Sequence, residues 1–204
     1  MRKILLTSTG FSNRAFISLF LSQVDKPATE IRVIFVPTAA VFEDAREMLP
    51  YCFQDLTDAG IPPENIFTYH LGYLMSEAAP RAHQAGQTNI PPMFRLLSSA
   101  EISEFDAIYL CGGSPRHLLN EANRTGFTNS LITAVENGLF YIGVSAGSII
   151  AAANLPQNLG FINNELSVHC KSGSPCGKLP DSGNICLTDS QAIWINGNDA
   201  EIIE

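Results

Sequence analysis

The chain has 204 residues, 46% of them hydrophobic and 16% charged, enough to bury the core of one ordinary domain. Its net charge is −8 and no Lys/Arg cluster exceeds two in a row, which argues against a nucleic-acid or anionic-membrane surface. No apolar run approaches the roughly 20 residues of a spanning helix.

The opening Met1-Arg2-Lys3-Ile4-Leu5-Leu6 mimics a signal start, but the apolar run stops at Thr7 and residues 10–14 are largely polar. A cytoplasmic protein is expected. Five scattered cysteines (Cys52, Cys111, Cys170, Cys176, Cys186) fit a reducing compartment better than a disulfide framework. His169, Cys170, Cys176 and Cys186 could be proposed as a zinc set, but they contain no C-x-x-C pair, so no metal site is expected, and no organic cofactor is expected either.

Lys3 to Thr7 reads as a first strand, and Arg14 to Val24 carries a helical stripe of Phe16, Ile17, Leu19, Phe20 and Leu21. Ile31 to Val36 is β-branched and apolar, a buried strand ending at Pro37. Met48, Leu49, Phe53 and Leu56 predict a helix over 44–59, closed by Gly60. Ile66 to His70 reads as a short strand, and residues 76–93 as a long surface loop. Ser98 and Glu101 form a capping box before a short helix. Ala107 to Leu110 is another buried strand, followed by Cys111-Gly112-Gly113-Ser114-Pro115 and two helices, one from Pro115 and one over 127–137.

Phe140 to Ile142 is the next strand, and the small apolar residues from Ala146 to Ala153 start a helix. Between them lies Gly143-Val144-Ser145-Ala146-Gly147, a G-x-S-x-G pattern in the strand–turn–helix context that such a motif needs. A nucleophile on so sharp a turn projects its hydroxyl outward. Residues two positions before and after it crowd each other, which favours Gly at both. The following helix turns its free N–H groups toward developing negative charge.

Segments 187–194 and 200–203 flank Asn196-Gly197, a hairpin signal. Strands alternating with helices imply an α/β fold: a doubly wound, mostly parallel sheet flanked by helices, ending in a C-terminal β-hairpin. One domain spanning 1–204 is expected. A homodimer through the terminal hairpin is compatible with this pattern.

A Ser hydroxyl needs a base. Of the four histidines, His83 falls in the predicted loop, His70 lies early, and His117 follows the Gly112-Gly113 turn. His169, 24 residues after Ser145, is the best placed general base; on spacing alone it could equally be a strand-edge histidine. The Gly112-Gly113 turn reads as a bare turn, a phosphate cradle without its Lys, or an oxyanion donor.

These residues resemble the peptidase E family of serine hydrolases, which includes aspartyl dipeptidases and the related cyanophycinases. The likeness rests on Val36-Pro37-Thr38-Ala39-Ala40, Cys111-Gly112-Gly113-Ser114, Tyr141 to Gly147, and Ser167-Val168-His169. It implies a parallel α/β fold related to class I glutamine amidotransferases. It further implies Ser145 as nucleophile, His169 as base, and the N–H groups of Gly113 and Ala146 as oxyanion hole. The family usually has Asn where Ser114 stands, so Ser114 is a substrate-positioning candidate; Arg116 and Lys171 are candidates to receive a substrate carboxylate.

The family's Asp between Ser and His is missing. Asn154 occupies its place as tentative third member, and Glu165, or a later acid such as Asp181 or Asp189, is the alternative. The implied activity is serine-type hydrolysis of small peptides, with Asp-X dipeptides as the family preference. Hydrolysis of another amide or isopeptide, cyanophycinase-like, is the rival. A catalytically degenerate binding protein retaining Ser145 for its turn geometry is a further one.

Overall fold

The computed structural model describes residues 1–74 and 91–204. Five parallel strands make one side of the main sheet: β1 (Lys3–Thr7), β2 (Val33–Val36), β3 (Ile66–Thr68), β4 (Ala107–Leu110) and β5 (Phe140–Val144). They stand in the order β3-β2-β4-β5-β1. Strands β2, β4 and β5 are buried along their whole length, as a sheet covered on both faces demands. Beyond β1 the sheet turns antiparallel through β9 (Ala192–Asn196), β10 (Asp199–Ile203) and β7 (Gly177–Lys178). A separate parallel pair joins β6 (Glu165–Ser167) to β8 (Asn184–Cys186).

The helices are α1 (Arg14–Val24), α2 (Glu43–Glu47), α3 (Leu49–Asp58), α4 (Ser99–Ile102), α5 (Pro115–Thr125), α6 (Phe127–Glu136) and α7 (Ala146–Ile149). Strand alternation sorts them onto two faces. Leu5, Phe35, Tyr109 and Ile142 pack with Phe16 and Phe20 of α1 and Leu56 of α3. Ile4, Ile34, Ile108 and Tyr141 pack with Leu118 of α5 and Leu131 of α6. The result is a doubly wound α/β fold.

Three expectations shift. The single helix predicted over 44–59 is two, broken at Met48, because Pro50 sits in the first turn of α3 and has no N–H for a continuing ladder. Its end is as predicted: Gly60 N–H donates to Thr57 O (2.9 Å) and Ile61 N–H to Leu56 O (3.2 Å). The helix after Ser145 is one turn long. Ala153 N–H, instead of continuing it, donates to the Asn164 carbonyl (2.9 Å). The C-terminal hairpin forms one residue later than its signal. Asn196 pairs with Asp199, so Gly197-Asn198 makes the turn, and residues 187–191 stay outside the strand.

His83 and most of the predicted 76–93 loop lie outside the described residues. Among the described residues no helix is long and apolar enough to cross a membrane.

Candidate active site

Ser145 sits between β5 and α7 with φ 47° and ψ −99°, a disfavoured conformation for a residue with a side chain. Such backbone costs on the order of 1–3 kcal/mol and persists only where its surroundings impose it. Here they do. A Cβ on Gly143 would come within 2.8 Å of the Gly147 carbonyl, and one on Gly147 within 2.5 Å of the Leu110 carbonyl. The two glycines let β5, β4 and α7 close up beneath the serine. Ser145 N–H donates to Thr7 O (2.9 Å), and the buried Ser148 hydroxyl is within reach of both Thr7 O (2.8 Å) and Gly143 O (2.7 Å). Together these bonds tie the turn to the end of β1.

His169 follows β6, and Asp189 follows β8. Because these strands are parallel, their carboxyl ends deliver both residues to the same place. His169 Nε2 lies 3.2 Å from Ser145 Oγ, and its Nδ1 lies 2.8 Å from Asp189 Oδ1. A carboxylate only accepts, so Nδ1 carries the proton and the Nε2 lone pair faces the serine hydroxyl. The β1–α1 loop fixes both partners. Ser8 Oγ accepts from His169 N–H (3.2 Å), while Thr9 and Ser12 hydroxyls donate to the Asp189 carbonyl (3.0 and 3.1 Å).

Asn154 is not in this array. Its Nδ2 donates to the Leu166 carbonyl (3.0 Å) and its Oδ1 accepts from Leu166 N–H (2.9 Å). With both ends of its amide engaged on the backbone of β6, it holds the strand and leaves the imidazole to Asp189. Glu165 is exposed on β6, and the His169 Nδ1 it was weighed for is taken by Asp189. Asp189 had been named among the later acids. The signal that singles it out is the parallel pairing of β6 with β8, which no local pattern announces.

Gly113 has φ 130°, and a Cβ there would lie 2.2 Å from the Ala39 carbonyl. The Val36-to-Ala40 segment therefore presses against the glycine turn, and only Gly fits. Gly112 stands beside the nucleophile, its notional Cβ 3.4 Å from Ser145 Cβ. Neither Gly113 N–H nor Ala146 N–H donates to a backbone acceptor of another described residue. Both remain available to a ligand oxygen.

Ser114 caps α5, its Oγ accepting from His117 N–H (3.2 Å) while its own N–H donates to Ala39 O (2.8 Å). Ser114 and Arg116 do not line the cavity at Ser145. His117 lies near His70 rather than near Ser145, and burial followed by His117's proximity holds the His70 pKa down.

The cavity at Ser145 has a volume of about 440 Å³ and runs from Ser145, His169, Gly112 and Gly113 to the α2–α3 face. At its wall Asp55 accepts from the Tyr109 hydroxyl (2.6 Å) and Phe11 N–H (2.9 Å). Burial raises the Asp55 pKa against the opposing pull of these two bonds. The buried Cys111 thiol is pushed well up by desolvation, whereas neighbouring Cys52 is lowered, chiefly by its hydrogen bond with Cys111. Of His169, Cys170, Cys176 and Cys186, Cys170 and Cys186 lie side by side, but among the described residues no three His, Cys, Asp or Glu side chains gather as metal ligands.

A half-buried hydroxyl on a strained strand-to-helix turn, facing a cavity, with an imidazole on it and a carboxylate on the imidazole, makes the constellation of a serine hydrolase. The comparisons with known proteins support the peptidase E family. The model of peptidase family S51 matches residues 92–160, which carry the glycine turn and Ser145. A peptidase E from Streptomyces coelicolor is 43% identical over 56 residues, 28% of this chain and 23% of that protein. An uncharacterized peptidase from Listeria innocua is 37% identical over 57 residues, 28% of this chain and 27% of that protein. The chain thus matches about a quarter of the length of these curated relatives.

The fold similarity is chain-wide. A candidate peptidase E protein from Listeria monocytogenes EGD-e superposes with TM-score 0.62 at 19% identity, covering 100% of this chain and 98% of that one. A peptidase from an acI-B1 Actinobacterium gives 0.61 at 16% identity, covering 100% and 87%.

Proposed function

We propose that the protein is a serine-type peptidase acting on small peptides, with Ser145 as nucleophile, His169 as general base and acid, and Asp189 as the group that orients His169. The observation that carries this reading is the unbroken series of two hydrogen bonds, Ser145 Oγ to His169 Nε2 (3.2 Å) and His169 Nδ1 to Asp189 Oδ1 (2.8 Å).

In the first half-reaction His169 Nε2 takes the Ser145 proton as Oγ attacks the scissile carbonyl. The oxyanion develops toward the N–H groups of Gly113 and Ala146. The imidazolium, held by Asp189, then gives its proton to the leaving amine and an acyl-serine remains. In the second half-reaction His169 takes a proton from water, hydroxide attacks the ester, and the proton returns to Ser145 Oγ.

A fluorophosphonate probe tests this directly. Labelling of the wild type and not of Ser145→Ala supports the reading; a wild type that neither reacts with the probe nor cleaves any dipeptide overturns it. The resemblance also implies an Asp-X preference. That would call for a cation facing the substrate carboxylate, yet Arg116 and Lys171 are exposed and neither lines the cavity.

A further inference from the structure

His169 reaches Ser145 from an irregular place in the small sheet. Leu187 N–H donates to Ser167 O (2.8 Å), and Leu187 O accepts from Cys170 N–H (2.9 Å). In a regular parallel ladder such a pair of bonds embraces one residue; here it embraces two, Val168 and His169. The extra residue is the histidine, with φ 57°, so a bulge rather than the pleat aims its ring. Cys170 closes that bulge. Cys186 stands opposite Ser167 on β8, on the segment that leads to Asp189. Cys170 Sγ points to the Ser167 and Val168 carbonyls (3.6 and 3.8 Å), and Asn184 Nδ2 donates to Cys186 Sγ (3.6 Å). Burial, and then a hydrogen bond with Cys186, raise the Cys170 thiol above its ordinary pKa. Both cysteines are free and only partly buried, open to a small oxidant.

We propose that Cys170 and Cys186 are a peroxide-sensitive thiol pair, and that their disulfide shifts the His169 bulge and switches the hydrolase off reversibly. The switch rests on the hydrolase reading above; the modification site does not. The Cys186 sulfur attacks one oxygen of hydrogen peroxide and becomes a sulfenic acid as the first water leaves. Cys170, the thiol that keeps its hydrogen, then attacks the Cys186 sulfur and expels the second water. The two thiol hydrogens leave in those waters; the sulfurs are oxidised to a disulfide and the peroxide is reduced. A thiol reductant reverses the change by exchange. Bond formation draws the sulfurs from hydrogen-bond contact to covalent distance, and the Cys170 backbone follows its sulfur. His169 is its neighbour in the chain, with Nε2 3.2 Å from Ser145 Oγ. A misplacement of about 1 Å in such a group costs about 10²-fold in rate.

The test treats the full chain with hydrogen peroxide, removes the excess with catalase, and maps disulfides by mass spectrometry of a non-reducing digest. Fluorophosphonate labelling and peptide cleavage are followed on the same samples. The expected result is a Cys170–Cys186 link, a fall of at least about tenfold in labelling rate and kcat/KM, and full recovery in dithiothreitol. Cys186→Ser, which keeps the backbone bonds of the bulge, loses the response; Cys176→Ser, which alters an exposed thiol outside the pair, retains it. A wild type that forms no such link, or that links Cys52 to Cys111 instead, overturns the proposal, and the wild-type map needs no variant to fold. A linked enzyme whose labelling stays within twofold overturns the switch, as does a loss that persists in Cys186→Ser. The reduced protein separates the two levels. If it labels and cleaves but ignores the link, the switch alone fails; if it neither labels nor cleaves, the hydrolase reading fails and the switch with it.

Discussion

Asp189→Asn is the sharpest probe of the site. The change keeps the size of the side chain and removes its charge, so His169 loses the partner of its imidazolium, and an amide that can donate as well as accept no longer fixes its tautomer. In a buried Ser–His–Asp array this substitution costs about 10⁴ in kcat. The array here is wetter: the side chains of His169 and Asp189 are 50% and 62% exposed. Two unit charges about 4 Å apart are worth about 4 kcal/mol at an effective dielectric near 20 and about 1 kcal/mol in bulk water. A half-exposed pair falls between, at about 2–3 kcal/mol, which is about 30- to 150-fold in rate. The assay is kcat and kcat/KM on a dipeptide or aminoacyl amide, with kcat and kcat/KM falling together because the imidazolium forms only as the transition state is approached. A variant within threefold of wild type would refute the assignment of Asp189 and return the choice of orienting residue to Glu165 or Asp181.

Further expectations follow from the same contacts. Ser145→Gly abolishes activity but relieves the φ 47° backbone; about 1 kcal/mol regained raises the melting temperature by about 2–4 °C, and a lowered melting point would show that the turn is unstrained. Asn154→Ala leaves the Leu166 N–H and carbonyl unpaired; it lowers stability by about 1–3 kcal/mol, read as a fall in melting temperature, while a collapse of kcat larger than that of Asp189→Asn would instead place Asn154 in the catalytic array. Gly113→Ala drives a methyl to 2.2 Å from the Ala39 carbonyl; the expected outcome is a loss of at least about 3 kcal/mol with slower fluorophosphonate labelling, and wild-type melting and labelling would contradict it. Arg95, through its hydrogen bonds, holds the Glu101 carboxyl down at about 2, below its ordinary 4.5. A folded-state value below the unfolded one stabilises above pH 4.5, and that contribution is lost as the pH falls toward 2. Because both side chains are about one-third exposed, it is discounted to about 1 kcal/mol. Glu101→Gln should therefore flatten the acid limb of the stability profile, and an unchanged acid limb would count against the pair.

What could be read from the chain alone divides along a physical line. Contacts between near neighbours leave local signatures. Ser98 and Glu101 cap α4 from three residues apart, Gly60 closes α3, and the Gly143–Ser145–Gly147 spacing encodes a steric fit that the strand-to-helix turn imposes. The alternation of buried strands with helices likewise fixed the doubly wound sheet. Contacts that depend on pairing between distant strands leave none. Asp189 reaches His169 because β6 runs parallel to β8, and the register of Leu166 with Ile185 is written in no pattern shorter than the fold. Asn154 was misleading for the same reason. Its position relative to Ser145 suited a third catalytic member, yet its amide satisfies a backbone N–H and carbonyl across a gap of 12 residues.

This division bears on specificity as well as catalysis. The nucleophile turn is a local motif, so a family likeness concentrated in residues 92–160 carries it intact. The far wall of the cavity is built from Asp44, Glu47 and Asp55, all outside that matched stretch. The nucleophile turn therefore lies inside the matched stretch, whereas the far wall, and with it His169 and Asp189, lies outside it. Asp44, Glu47 and Asp55 make the charge of this wall negative.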